Sequence, residues 1–105
     1  MGLGIMTSKQ SLDHGFCVRR LKILADTTRL AVLKLLMEGP KHVGELNDSL
    51  KLEQSLLSHH LKVLRQEGFV EATRDGKAML YRLSPSVHSP GKAINLGCCL
   101  LAFEL

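Results

Sequence analysis

The chain contains no tryptophan, one tyrosine and three phenylalanines, so aromatics make up only 4% of its 105 residues. Any core must therefore be aliphatic, mostly leucine. Three cysteines are an odd number and too few for a disulfide scaffold, which makes a reducing, cytoplasmic location the default expectation. No apolar run approaches the roughly 20 residues of a membrane helix, so no membrane partner is expected. The opening residues Met1-Gly2-Leu3-Gly4-Ile5-Met6 lack the basic and sustained apolar character of a secretory signal. There is no Cys-x-x-Cys, no Ser/His/Asp arrangement and no phosphate-binding loop, so an enzyme is not expected. What is present suits one domain. Hydrophobic residues reach 45%, enough for a core, though so small a core leaves little room for an enclosed active site. Fourteen Lys and Arg against ten Asp and Glu give a formal charge of +4, which permits a nucleic-acid partner without demanding one.

Residues 1–15 carry three glycines and no sustained period, and read as a flexible N-terminal arm. A helical pattern starts at Phe16 with Val18, Leu21 and Leu24. Asp26 follows as an N-cap, and Leu30, Leu33, Leu36 and Met37 mark the apolar face of a second helix that Gly39-Pro40 stops. Val43, Leu46 and Leu50 indicate a short third helix. Lys51-Leu52-Glu53 is a tight turn, and a fourth helix runs from about Gln54 to Glu67, ended by Gly68. The period then changes. Phe69 to Thr73 reads as a strand, Arg74-Asp75-Gly76-Lys77 as a hairpin tip, and Met79, Tyr81 and Leu83 as a returning strand. The tail from Ala93 fits both a strand (Ile94, Leu96, Cys98, Leu100) and a helix face (Ala93, Leu96, Leu100, Phe103), and periodicity alone leaves both open. The fold class is mainly α with a β-hairpin: a winged helix-turn-helix over 16–84, with 85–105 as a tail.

The fourth helix carries the functional signal. Leu57, Leu61 and Leu64 share one side with His60, which reads as a core histidine with one polar partner. Ser55, Ser58, His59, Lys62 and Arg65 share the other side at i, i+3, i+4, i+7, i+10. Hydroxyls, an imidazole and Gln can hydrogen-bond base edges in a major groove, and cations neutralise phosphates. Arg74 and Lys77 at the hairpin tip are placed for flanking contacts. A solvated helix face beside a charged turn is the bland alternative for either half alone. His59-His60 is no metal pair, because adjacent helix positions point about 100° apart.

Leu24-Ala25-Asp26-Thr27-Thr28-Arg29-Leu30, Val43-Gly44-Glu45-Leu46 and the run from Gln54 to Val70, with its Ser58-His59-His60-Leu61-Lys62-Val63-Leu64 and Gly68-Phe69-Val70, resemble the ArsR/SmtB metalloregulators, including their arsenic-responsive members. The resemblance spans about Leu21 to Leu83. It implies a homodimeric repressor that binds double-stranded DNA at an inverted-repeat operator and is released by an inducing ion. It places DNA contacts on Gln54, Ser55, Ser58 and His59, with wing contacts near Arg74 and Lys77; Lys62 joins them on the same face. Several family ligand sets are missing. Asn47-Asp48-Ser49 stand where one site has thiols, the tail past His88 has only Glu104 where another has Asp, His and Glu, and Thr28 to Met37 hold no cysteine. Thr27 replaces a familiar proline, and Glu53 a capping serine.

Cys17, Cys98 and Cys99 remain. Neighbouring Cα atoms lie about 3.8 Å apart, short of the roughly 4.4 Å an unstrained disulfide needs, so Cys98-Cys99 reads as a free dithiol. Two adjacent thiols with a third from elsewhere suit a soft three-coordinate ion, As(III) or Sb(III), whereas zinc wants a fourth ligand for which His14 and His88 are the candidates. Some arsenic-responsive members of the resembled family carry such a pair near the C-terminus, and both regions pack at that family's dimer interface. The expected metal site is thus Cys17, Cys98 and Cys99, in a tail that also makes dimer contacts. Cys17 as a small buried apolar residue is the plain alternative. A redox or reactive-sulfur sensor on the same scaffold, and a protein-binding winged helix, are the alternative functions.

Overall fold

The computed structural model describes residues 15–103. The expected arm over 1–15 lies outside the described residues except for Gly15, which is already helical. Helix α1 covers residues 15–24. Asp26 then sits in extended backbone and its carboxylate accepts from the Arg29 N–H at 2.9 Å, capping α2 (Thr27–Leu36). That bond above all, and the nearby Arg29 guanidinium, hold the Asp26 carboxyl below its usual range. A two-residue strand β1 (Lys41–His42), absent from the expectation, leads into α3 (Val43–Leu50).

The turn between α3 and α4 (Gln54–Gln66) depends on Lys51. Lys51 adopts a left-handed conformation, φ 56°, and its N–H donates to the Asn47 carbonyl at 2.8 Å. A side-chain-bearing residue there costs about 1–2 kcal/mol, and burial of Leu46 before the turn and Leu57 after it in the common core offsets it. Helix α4 ends on a Schellman motif. The Gly68 N–H reaches the Arg65 carbonyl at 3.1 Å, the Phe69 N–H reaches the Leu64 carbonyl at 2.9 Å, and Gly68 takes φ 82°. Phe69, fully buried, is the apolar residue that this motif usually packs against the last turn.

Strands β2 (Val70–Asp75) and β3 (Ala78–Leu83) form the hairpin, in register from Val70↔Leu83 to Asp75↔Ala78, and β1 adds to the other edge of β3. The tip is shorter than expected. Asp75 remains in β2, Gly76 and Lys77 form a two-residue loop, and only Gly76 has positive φ, the type II′ pattern. The tail resolves as strands: β4 (His88–Ser89), β5 (Ala93–Asn95) and β6 (Leu100–Ala102) make a second antiparallel sheet. Ile94 and Leu96 both point inward and are fully buried, and Gly97 at φ 91° breaks any continuous helix. The core unites Leu33 and Leu36 of α2, Leu46 of α3, Leu57, Leu61 and Leu64 of α4, Phe69, Val87, Ile94 and Leu96. No helix among the described residues is long and apolar enough to cross a membrane.

Candidate functional site

Helix α4 is sharply two-sided. Leu57, His60, Leu61 and Leu64 are buried, while Gln54, Ser55, Ser58, His59, Lys62 and Arg65 are all exposed. His60 has the polar partner expected of a core histidine. Its Nδ1 lies 3.3 Å from Arg29 Nη1 and must accept, because a guanidinium offers only donors. The inner face thus fixes the helix and leaves the outer row as one accessible strip. At its start Glu53 makes no side-chain cap to the backbone; its carboxylate instead accepts from Ser55 Oγ at 2.6 Å. Leu56 is an exposed apolar side chain in the same turn. Beyond the far end of α4, Arg74 and Lys77 are exposed at the wing tip.

The three sulfurs meet at a second place, where α1 touches the β5–β6 turn. Asn95 Oδ1 accepts from the Gly97 N–H at 2.8 Å, and the Leu96 N–H donates to the Cys99 carbonyl at 2.9 Å, which folds Leu96 to Cys99 into a tight loop. Gly97 lets α1 approach: a Cβ there would lie 3.2 Å from the Phe16 ring. Cys17 and Cys98 are joined by a disulfide, with Cα atoms 5.7 Å apart across a sequence separation of 81. Cys99 is free and exposed, its Sγ 3.7 Å from both other sulfurs. The three Sγ atoms fall within 4.8 Å of one another.

The same helix that carries Cys17 grips the end of α4. Arg19 donates from Nε and Nη2 to the two carboxylate oxygens of Glu67 at 3.1 and 3.0 Å, and these bonds hold the Glu67 carboxyl below its usual range. Arg20 donates to the Glu67 carbonyl at 2.8 Å and stacks 4.0 Å from the Phe69 ring centroid. One short helix therefore connects the sulfur cluster to the C-cap of α4.

Residues 26–72 match the family model described as bacterial regulatory protein, arsR family. The solved structure of Rv0081 from Mycobacterium tuberculosis superposes with a TM-score of 0.66 at 40% identity, over 70% of this chain and 74% of that one. The chain belongs to the arsR family. Reduced HlyU from Vibrio cholerae gives a TM-score of 0.65 at 34% identity, over 77% of this chain and 82% of that one. The arsenical resistance operon repressor of Escherichia coli is 41% identical over 71 residues, 67% of this chain and 61% of that protein. The Vibrio cholerae transcriptional activator HlyU is 41% identical over 64 residues, 61% of this chain and 59% of that protein. The chain thus spans less than two thirds of either curated relative. These relatives are transcriptional regulators, and the fold they share with this arsR-family chain is the winged helix-turn-helix. The matched segment runs from Asp26 to Ala72, so all three cysteines lie outside it.

Gln54, Ser55, Ser58, His59 and Lys62 sit together on one face and Arg74 and Lys77 at the wing, while Cys17, Cys98 and Cys99 gather where α1 meets the β5–β6 turn. One expectation about the cysteines needs correction. Cys98 and Cys99 are not a free dithiol, because the fold brings Cys17 to Cys98 at a Cα spacing ordinary for a disulfide and leaves Cys99 as the one free cysteine among the described residues. His14 and Glu104 lie outside the described residues. Sequence reasoning missed Arg19, Arg20 and Glu67, whose pairing spans 47 and 48 residues, and His42, whose ring meets Asp75 across 33. No local pattern marks such contacts.

Proposed function

We propose that this arsR-family protein is a DNA-binding transcriptional repressor whose operator affinity is set by the state of Cys17, Cys98 and Cys99. The observation that carries the reading is the position of α1. Near its start it holds a sulfur of the cluster, and through Arg19 and Arg20 it holds Glu67 at the end of the helix whose outer row is free to read a major groove. Gln54, Ser55, Ser58 and His59 take the base edges, Lys62 and Arg65 the adjoining phosphates, and Arg74 and Lys77 the flanking backbone. Leu56 is available to a thymine methyl. A second copy of the chain, reading the other half of an inverted repeat, has apolar surface to use in Phe16, Val18 and Leu21 of α1 and Leu100 of β6, which are 43–61% exposed.

The inducer we infer is arsenite or antimonite. With the Cys17–Cys98 bond reduced, Cys17, Cys98 and Cys99 supply three thiolates in one small region, an all-sulfur donor set for a soft trivalent centre. The inducer must favour the low-affinity state by about 1.4 kcal/mol for each tenfold loss of DNA affinity. The Cys17–Cys98 bond itself favours a second reading, in which oxidation of that pair is the signal.

A fluorescence titration of labelled duplex from the DNA upstream of its own coding sequence tests both. Reduced protein is expected to bind, with affinity falling steeply as salt rises. Arsenite is expected to release it, with sulfur-to-arsenic charge-transfer absorbance, while Cys98→Ser and Cys99→Ser bind DNA and ignore arsenite. Normal release of both variants refutes the arsenite site. Release of the wild type by diamide, with the mass loss of a disulfide and no response to arsenite, selects the redox reading.

A further inference from the structure

His42 caps the start of α3 and stands at the foot of the wing. Its backbone N–H donates to Glu45 Oε1 at 2.9 Å, the returning half of a capping box. Its ring then bridges two elements: Nδ1 lies 3.1 Å from Glu45 Oε1, and Nε2 lies 2.7 Å from Asp75 Oδ2. Ionised carboxylates only accept, so each contact needs a proton on its ring nitrogen, and a neutral imidazole has one. Only the imidazolium satisfies both.

The brace reaches past the backbone pairing. β1 ends where His42 opposes Leu80, and Leu80 opposes Thr73 on the far strand. Asp75 lies two residues nearer the tip, between Arg74 and the Gly76–Lys77 loop. The other charge beside His42 is Lys41 on β1, whose Nζ is 3.3 Å from Glu38 Oε1. From β3 the residue opposite is Leu80, which is uncharged.

We propose that His42 is a positioning residue for DNA binding: its imidazolium braces the wing tip against the start of α3, so that Arg74 and Lys77 are held for the duplex that α4 reads, and deprotonation slackens the brace. The inference rests on the DNA-binding reading above. The hydrogen bond that the His42 ring donates to Asp75 first, and that to Glu45 second, hold His42 above the usual imidazole value. The His42 backbone N–H chiefly holds Glu45 below the carboxylate range. The stabilisation is therefore complete below the ordinary histidine value of about 6.5 and is lost as pH rises through the raised value. At the acid end it fades as pH falls through the lowered value of Glu45. All three side chains are solvent-accessible, so the effect is modest, an affinity gain of about two- to five-fold as pH falls from above the raised His42 value to about 6.

The test compares wild type, His42→Gln and Asp75→Asn at constant ionic strength, using the same upstream duplex. His59 carries its own imidazole on the reading face, so the quantity read is the difference between wild type and His42→Gln. An NMR titration of the free protein follows His42 independently of DNA. The expected result is an elevated His42 value that falls in Asp75→Asn, with the acid-side affinity gain larger in wild type by the stated factor. Equal gains in wild type and His42→Gln, or a His42 value that Asp75→Asn leaves unchanged, overturn the proposal. Absence of duplex binding at every pH defeats the DNA-binding reading and the positioning role together, while the NMR titration still decides whether the brace forms.

Discussion

Replacing Cys17 with Ser removes the covalent tie between α1 and the β5–β6 turn while leaving a side chain of nearly the same size. The tie closes a loop with a sequence separation of 81. Loop-closure entropy for such a span gives about 4.5 kcal/mol, and measured disulfides commonly deliver about 2–4 kcal/mol. For a domain near 100 residues, about 2–4.5 kcal/mol corresponds to a melting shift of about 8–18 °C. Thermal unfolding by circular dichroism, with and without dithiothreitol, reads it directly. Oxidised wild type is expected to melt that far above reduced wild type, and Cys17→Ser to melt with the reduced protein under both conditions. Cys99→Ser retains the Cys17–Cys98 pair and is expected to keep the gap. Cys98→Ser is the informative contrast. Cys99 Sγ lies 3.7 Å from Cys17 Sγ and can take the place of Cys98, so part of the gap survives there. If oxidised wild type melts within about 3 °C of Cys17→Ser, the entropic argument fails for this chain.

Asp26→Ala removes the N-cap of α2 and is expected to cost about 1 kcal/mol by urea denaturation. Because the folded Asp26 value is lowered, its contribution is present above the ordinary carboxylate value and disappears as pH falls through the lowered one, so wild type and variant should converge in acid. Lys62→Ala is expected to weaken duplex binding across sequences and to reduce the slope of log affinity against log salt by about one, read from anisotropy titrations at several salt concentrations. Gly97→Ala forces a side chain into left-handed backbone and 3.2 Å from the Phe16 ring. It is expected to slow formation of the Cys17–Cys98 bond, seen by thiol counting after mild oxidation, with duplex binding of the reduced protein preserved.

The helices were legible because their signals are local. Asp26, Gly39-Pro40 and Gly68 punctuate the chain, and Leu57, Leu61 and Leu64 repeat at the period of one helix face. The outer row of α4 follows from that inner row by geometry alone. The tail was not legible, since Ala93 to Phe103 satisfies two periods. The burial of Ile94 and Leu96 against the core, with the left-handed Gly97 between β5 and β6, selects strands. β1 escaped notice because a two-residue strand has no period at all and exists only through its pairing with Leu80 and Tyr81.

By its sequence alone, this chain declares a winged helix-turn-helix, a polar and basic strip on its fourth helix, and three cysteines as the residues to explain. Tertiary structure decided how those cysteines pair. Pairing Cys17 with Cys98 across a separation of 81 residues, and leaving the adjacent Cys99 free, is a consequence of where α1 and the β5–β6 turn pack. So is the reach of Arg19 and Arg20 to Glu67, and of His42 to Asp75. Periodicity and capping act within a few residues of chain. Contacts between distant segments are set by burial of the shared core, which no short pattern encodes.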